Sequence, residues 1–384
     1  MKTVPHKEWN MHIPKKAALT VAITATALAV GVMGGPALAD PPAGVTPAAG
    51  DIVGVGSDTT QNIMNDYSVS YNATSPAHKL YSWNATGTTP ITAKAGCANY
   101  ARPNGSSAGV TALNNDPAAY NASGVCVDFA RSSRYPDATK ASDVDKTFLA
   151  YAKDVVTWAA KPVSPKLTPK TVSTAQLTAI YSCTLTDWHT INSALPSSPI
   201  EPYLPQSGSG TRNSFLKALS NSGNVNGPNA ALVPGACVRQ PATMEENSGV
   251  SLQANLQAGD TIGDALVPYS AGKWVAQSRG GDVDNRNGFT VREIDSVPAT
   301  IPDVANGAAG PYSLNPSGKF ARLLFNVLKN QPGSTGLDKI WSNYTPVFGK
   351  AGYICTHPLS ANEGFISLPT SGTGTLCGAK FGIS

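Results

Sequence analysis

One seven-residue segment, 206–212, combines residue types that are suited to holding an anion. Its sequence, QSGSGTR, contains three hydroxyls, two glycines and one cation, and the range 213–219 behind it has the pattern of a helix. Because the first N–H groups of a helix have no partner within the helix, such a turn directs several donors the same way. The segment therefore predicts an anion-binding turn. A capped helix after a flexible loop is the alternative, and this segment alone does not decide between them.

Three turns upstream, which we expect at the ends of predicted strands, carry the same hydroxyl chemistry. The strands are expected over 51–55, 80–83 and 125–130, alternating with helices that carry Ile63 and Met64 or Val110 and Leu113. The turns contain Ser57, Asp58 and Thr59; Ser106 and Ser107; and Ser132 and Ser133. This alternation predicts an open α/β sheet, in which ligands lie at the carboxyl ends of the strands.

Three further elements are predicted from the pattern of apolar residues. A strand is expected over 154–159, and Ser173 is expected to cap a helix that buries Leu177. From Ala321 onward, the apolar positions 323, 324, 327 and 328 indicate a helix.

Composition and charge restrict the class of protein. The chain has 384 residues, 41% hydrophobic and 14% charged, which is typical of a globular protein with room for two domains. Two lysines, an apolar run over 17–33 and small residues at 37–39 predict a cleaved signal peptide over 1–39, with an uncleaved membrane anchor as the alternative. The remaining chain has 24 basic and 23 acidic residues, a balance that argues against a nucleic-acid partner. No cysteine lies near the cleavage site, so we expect a secreted, extracytoplasmic protein without a lipid anchor.

Six cysteines, all beyond the signal peptide, predict disulfides, since an even number is typical of exported proteins. Sequence alone does not choose among the possible pairings, and we expect neighbours to pair because this keeps each bridge within one lobe. The expected pairs are Cys97 with Cys126, Cys183 with Cys237, and Cys355 with Cys377. A metal site is the alternative, but no CxxC or His-x-His spacing accompanies the cysteines. We expect neither a metal nor a cofactor.

Taken in chain order, these segments resemble the phosphate-binding receptors of ABC importers, members of the type 2 periplasmic-binding-protein superfamily. The similar segments are GVGSD at 54–58, GSSAG at 105–109, VDFARSS at 127–133, LTAIYSCTLTDW at 177–188, SGSGT at 207–211 and IGDALVPY at 262–269. The resemblance covers about residues 51–280. It implies two α/β lobes with mixed sheets flanked by helices and a ligand cleft between them.

The resemblance also implies a division of the chain and a set of ligand contacts. After the signal peptide and a flexible linker over 40–50, lobe 1 begins at 51–156, lobe 2 covers 157–276, and 277–384 returns to lobe 1 and adds a C-terminal extension. The implied contacts are Asp58, Thr59, Ser106, Ser133, Ser209, Gly210 and Thr211, and their turn neighbours Ser57, Ser107, Ser132 and Arg212 complete the candidate ligand-binding set.

Two positions depart from the pattern of the family. Ser133 stands where many members have an Asp that accepts the proton of hydrogen phosphate, and Pro205 stands where many have an Arg. Arg212, Arg131 and Arg134 are candidate charge partners, since a guanidinium binds an oxyanion with two parallel hydrogen bonds. Asp58 is the candidate acceptor. The alternatives are a plain N-cap for Ser57 or Asp58 and solvated strand-end charges for Arg131 and Arg134.

Two other functions compete with a receptor. Gly105, Ser107 and Gly109 satisfy the G-x-S-x-G pattern of a serine hydrolase, but the preceding segment 99–104 is polar and only His189 and His357 follow as bases. A wall-associated binding module without transport is the third candidate. We expect a non-enzymatic, monomeric solute-binding protein that captures phosphate or a related oxyanion for uptake or scavenging, with an ABC importer as its membrane partner.

Overall fold

A computed structural model describes residues 40–119, 125–163, 168–303, 311–330 and 342–383. The predicted signal peptide, 1–39, lies outside the described residues. Residues 40–50 contain no regular helix or strand, and Asp40 at their start binds Arg102 at 2.7 Å. The mobility of this linker stays a prediction. Across the described ranges, no helix combines the length and the apolar character that a membrane crossing requires.

Strands and helices alternate along much of the chain. The strands are β1 Ile52–Gly56, β2 Leu80–Ser82, β3 Phe129–Ser132, β4 Lys146–Ala160, β5 Thr171–Val172, β6 Glu201–Pro202, β7 Ala265–Ser270, β8 Thr290–Val291, β9 Glu293–Ile294, β10 Thr300–Pro302, β11 Tyr312–Leu314, β12 Phe320–Lys329, β13 Ile366–Ser367 and β14 Ala379–Phe381. The helices are α1 Gln61–Ala73, α2 Ser106–Ala119, α3 Thr174–Tyr181, α4 Trp188–Ile191, α5 Gly210–Leu219, α6 Gly249–Ala254, α7 Ala271–Arg279, α8 Thr345–Phe348 and α9 Tyr353–Thr356.

One large mixed sheet organises the fold. Its strands run in the order β2-β1-β3-β12-β4-β7-β6, and β8, β13 and β14 also pair with β4. β1 is parallel to β2 and β3, whereas β12 lies antiparallel between β3 and β4. The predicted fold class, an α/β protein with a mixed sheet flanked by helices, is confirmed.

β4 is a single long strand that takes part in two hydrophobic cores. Its first half, including Phe148 and Ala152, packs in a core with α1 and α2. Its second half, including Val156 and Trp158, packs in another core with α3 and α5. The predicted lobe boundary after 156 falls close to this change of core, and the division into lobes stays a prediction.

The helix predicted from Ala321 onward is wrong, since this segment forms the strand β12. Its sequence, FARLLFNVLK, is buried over nearly its whole length because β12 lies in the centre of the sheet with neighbours on both edges. A central strand that is buried on both faces is apolar over most of its length. Such a run also contains apolar residues at helical spacing, so the spacing alone does not distinguish the strand from a helix.

Helix starts follow the predictions in part. Ser173 caps α3 and forms a capping box with Gln176, as expected. α1 has Thr60 as its N-cap, without a side-chain cap bond, so the N-cap role considered for Ser57 or Asp58 is wrong. α5 begins at Gly210, within the glycine-rich segment.

The three disulfides join the neighbouring cysteines, so the expected pairing is confirmed. The bonds are Cys97–Cys126, Cys183–Cys237 and Cys355–Cys377. The first lies in a small cluster with Val53 of β1 and Tyr81 of β2, the third lies in the core shared by β1, β3 and the C-terminal segment, and the second lies beside α3.

Candidate functional site: an anion cradle at the start of α5

The N-terminus of α5 collects the central residues of the predicted anion-binding segment. Ser209 is the N-cap, and its hydroxyl accepts a hydrogen bond from the Arg212 N–H at 3.0 Å. Ser209, Gly210 and Thr211 are all buried. The free N–H groups and the dipole of the helix favour a negative charge at this point.

The group that receives these donors is Glu246, a residue outside every motif of the sequence. Its Oε2 accepts hydrogen bonds from the Ser209 hydroxyl and from the Thr211 N–H, the latter at 3.1 Å. Its Oε1 accepts from the Thr59 hydroxyl at 2.9 Å and from the Thr59 N–H at 3.3 Å. Glu246 is only 2% exposed. We call these four donors of Thr59, Ser209 and Thr211 the anion cradle, because together they bind a buried carboxylate.

A chain of hydrogen bonds connects the anion cradle to the buried cation Arg322. Its Nη2 donates to Thr211 Oγ1 at 3.0 Å, and the hydroxyls of Thr211 and Thr59 lie 3.2 Å apart. Since the Thr59 hydroxyl donates its one proton to Glu246, the Thr211 hydroxyl must donate to Thr59. The positive charge of Arg322 therefore polarises two hydroxyls in sequence toward the carboxylate.

Arg322 is held rigidly by its position in the sheet. It lies opposite Asp154 in the β12–β4 ladder, and its Nε and Nη2 donate to Asp154 Oδ2 at 2.9 and 2.7 Å. Its Nη1 donates to the backbone oxygen of Ser133 at 2.8 Å. Both members of the ion pair are almost completely buried. The only signal in the sequence is a single Arg within an apolar run, which in a central strand requires a buried carboxylate partner.

A second group of hydroxyls, which we call the serine cluster, lies against the first residue of α5. It consists of Ser57, Ser106 and Ser133, whose hydroxyls lie 3.1 and 3.2 Å apart in succession and are fully buried. A Cβ at Gly210 would lie 2.2 Å from Ser106 Oγ and 2.3 Å from Ser133 Oγ. Only glycine allows α5 to approach the serine cluster this closely. Residues of the three upstream turns and the glycine-rich segment thus meet at one place.

Ser107, Ser132 and Arg134 form a separate group that the structure does not bring to the anion cradle. Arg134 Nε donates to the Ser107 hydroxyl at 3.1 Å, and the Ser132 hydroxyl donates to the backbone oxygen of Arg134 at 2.8 Å. Asp143 binds the same guanidinium at 2.5 and 2.8 Å. The charge of Arg134 is therefore compensated within its own group.

Arg131 stabilises the backbone at the strand ends. Its guanidinium donates to the carbonyl oxygens of Gly56, Ser57 and Trp83 and to the Ser82 hydroxyl, at 2.6–3.1 Å. Burial lowers its pKa to about 10. Arg131 and Arg134 are both fully buried, so the alternative that they are solvated strand-end charges is wrong.

Arg212 points away from the anion cradle. Its Nη1 donates to the backbone oxygen of Pro205 at 3.0 Å and its Nη2 to Gln240 Oε1 at 2.5 Å. Burial lowers the pKa of Arg212. The cation next to the cradle hydroxyls is Arg322, and Arg212 contributes its backbone N–H as part of the capping turn.

Asp58 is half-buried beside the cradle residue Thr59. Burial raises the pKa of Asp58 to about 7, the positive charge of Lys273 opposes this shift, and the negative charges of Glu246 and Asp282 add to it. A carboxyl group with this pKa exchanges its proton near neutral pH, so it can accept or donate a hydrogen bond there.

The residues of the G-x-S-x-G pattern are not arranged for nucleophilic catalysis. The Ser107 hydroxyl accepts from Arg134, which cannot act as a general base. His189 has Nδ1 at 2.7 Å from the backbone oxygen of Leu195, and His357 stacks on Tyr353. Within the described ranges, no cluster of three or more His, Cys, Asp or Glu side chains is placed to hold a metal ion.

Comparison with known proteins places the chain in a family. Similar solved structures include an ABC-type phosphate transport receptor from Vibrio cholerae, with 18% identity, coverage of 74% of this chain and 89% of the receptor, and a TM-score of 0.44. A phosphate-binding protein from Stenotrophomonas maltophilia is 15% identical, with 73% and 78% coverage and a TM-score of 0.40. At these identities and TM-scores, the ligands of those proteins are not transferred to this chain. No curated protein matches it. The model of the PBP superfamily domain matches residues 41–309, most of the sequence, and the chain therefore belongs to the PBP superfamily.

Proposed function

We propose that this protein is an exported solute-binding protein that captures a small oxyanion at the anion cradle, with inorganic phosphate as the main candidate ligand. The observation that carries the proposal is the set of four hydrogen bonds that the cradle makes to one buried carboxylate. Membership of a superfamily of binding domains supports binding without a catalytic step. Uptake through an ABC importer is the role we propose for the captured ligand.

The proposed mechanism uses donors that are already in place. An oxyanion at the start of α5 accepts hydrogen bonds from Thr59, Ser209 and Thr211, and the serine cluster packs against Gly210 at the same helix start. Arg322 contributes positive charge through the Thr211 hydroxyl. Closure of the two lobes then buries the ligand among these donors.

Asp58 is the proposed acceptor for the proton of hydrogen phosphate. Ser133 cannot take this role as a carboxylate would, whereas Asp58 lies beside Thr59 and is partly deprotonated at neutral pH. Sulfate has no such proton at this pH, so a deprotonated Asp58 repels it.

Titration calorimetry of residues 40–384 with phosphate, sulfate and an organic phosphate tests the proposal. We expect phosphate to bind with a dissociation constant below millimolar and sulfate to bind more weakly. Failure of every oxyanion to bind below millimolar would refute the proposed function.

Two variants distinguish the possible sources of positive charge. If the Arg212 guanidinium forms hydrogen bonds to the ligand, as the sequence suggested, Arg212→Ala weakens phosphate binding by about 1.5–3 kcal/mol. The geometry instead favours the route from Arg322 through Thr211, so we expect Thr211→Val to weaken phosphate binding by about 1–3 kcal/mol and Arg212→Ala to have little effect. A large loss with Arg212→Ala and none with Thr211→Val would assign the charge to Arg212.

A further inference from the structure

The anion cradle of this protein already binds an anion, the carboxylate of Glu246. All four cradle donors point to its two oxygens, so an external ligand meets no free donor in this arrangement. A charge-assisted hydrogen bond is stronger than a neutral one, and a carboxylate within the same chain acts at a high effective concentration. An external ligand must therefore compete with Glu246.

The competition concerns the side chain of Glu246, because the backbone beside it is fixed. Asn247 has a φ of 56°, in the left-handed region, and its Oδ1 accepts from the Ser270 N–H at 2.8 Å. Its backbone oxygen accepts from the Tyr269 hydroxyl and from Gln277 Nε2. These bonds attach the segment to β7 and α7. Glu246 can thus leave the cradle by rotating about its own side-chain bonds.

The charges around the cradle make Glu246 an effective competitor of anions. Arg322 is paired with Asp154, and Lys273 is paired with Asp282. Among the described residues, no ion pair holds Glu246. A dianion that entered beside an ionised Glu246 would meet a negative charge without a nearby free cation, so a ligand and the ionised carboxylate exclude one another.

We propose that Glu246 is a built-in competitor that must leave the anion cradle before an oxyanion binds, and that it thereby determines which ligands the site accepts. A small carboxylate offers the cradle the same two oxygens as Glu246 and gains nothing by replacing it. A tetrahedral oxyanion offers more acceptor oxygens and a second negative charge. The site therefore accepts tetrahedral oxyanions and rejects simple carboxylates. This inference rests on the proposed function.

Calorimetry on three variants tests the inference. Glu246→Gln keeps the shape of the side chain and removes its charge, and we expect phosphate to bind at least about tenfold more tightly than to the wild type. Glu246→Ala removes the competitor, and we expect it to bind acetate, which the wild type does not bind. Glu245→Gln is the matched control, because Glu245 carries the same charge but contacts Asn104 at 2.9 Å and none of the cradle donors. Its phosphate affinity should change by less than about threefold.

The outcomes separate this inference from the proposed function. If the wild type binds phosphate and Glu246→Gln binds it with the same or a lower affinity, the role of Glu246 is refuted. The proposed function then stays intact. Absence of phosphate binding in every variant, with acetate bound by Glu246→Ala alone, overturns the proposed function and the preference for tetrahedral oxyanions but keeps Glu246 as the competitor. Absence of both phosphate and acetate binding in every variant overturns the proposed function and the role of Glu246 together. Thermal unfolding of each variant shows whether it is folded. If Glu246→Ala does not fold, the phosphate affinity of Glu246→Gln alone tests the inference.

Discussion

The ion pair of Arg322 and Asp154 should be a main support of the site, and replacing Arg322 by Met tests this. The change keeps most of the side-chain length and removes the charge. It also removes the hydrogen bonds of Arg322 to Asp154 on β4, to Ser133 just after β3 and to Thr211 on α5. Asp154 would then remain as a fully buried carboxylate without a cation.

The expected cost follows from what Asp154 keeps. Removing one partner of a buried ion pair costs about 3–5 kcal/mol, because the other charge stays buried. Asp154 still accepts from the Ser270 hydroxyl at 2.8 Å and from the Gly272 N–H at 3.0 Å. These two donors offset part of the loss, so we expect the free energy of unfolding to fall by about 3 kcal/mol.

A double-mutant cycle measured by urea unfolding provides the assay. Asp154→Asn alone should also destabilise the protein, whereas adding Asp154→Asn to Arg322→Met should cost little, since it removes an unpaired buried charge. The coupling energy is then at least about 2 kcal/mol. Additive effects, or a loss below about 1 kcal/mol for Arg322→Met, would show that the two side chains do not depend on each other and would refute this reasoning.

Two further predictions concern pH and covalent links. Because the pKa of Asp58 is raised from 3.8 to about 7, its contribution to stability is full below pH 3.8 and is lost as the pH rises through 7. Asp58→Asn should therefore raise the unfolding temperature at pH 8 and have little effect at low pH, as thermal unfolding at both pH values would show; equal shifts at both would contradict the assigned cause. The Cys183–Cys237 disulfide closes a separation of 54 residues, so replacing both cysteines by Ala should lower the free energy of unfolding by about 4 kcal/mol, measured with urea. A loss below about 1 kcal/mol would exclude chain entropy as its main contribution.

The sequence was a good guide to the hydroxyl side of the site and a poor guide to its charges. Ser57, Thr59 and Ser133 follow the neighbouring parallel strands β1 and β3, whose carboxyl ends meet at one edge of the sheet. Ser106 begins α2 close to Asn104, which forms a β-bridge with Gly56 at the end of β1. Their approach to α5 could therefore be expected from local patterns. Glu246 has no such pattern, because it lies on an irregular segment that reaches the cradle only through the tertiary fold.

The centre of the sheet could not be predicted for a related reason. The adjacent apolar residues Leu323 and Leu324 fit both a helix and a strand that is buried on both faces. Only the pairing of β12 with β3 and β4 shows that the segment is a strand. The error concealed Arg322, since its partner Asp154 is a neighbour only across that ladder. Local order was thus predictable, whereas contacts between distant segments were not.

The position of β12 has a consequence for the order in which the chain can fold. β12 is synthesised long after β3 and β4, yet it lies between them in the sheet. A nascent chain that ends before Phe320 holds two strands whose inner edges have no neighbour, and pairing across such long sequence separations is slow. Such a chain stays without its central ladder until its C-terminal part has emerged. The centre of the sheet is therefore completed last, and a chain without β12 lacks the Arg322–Asp154 ion pair that supports the site.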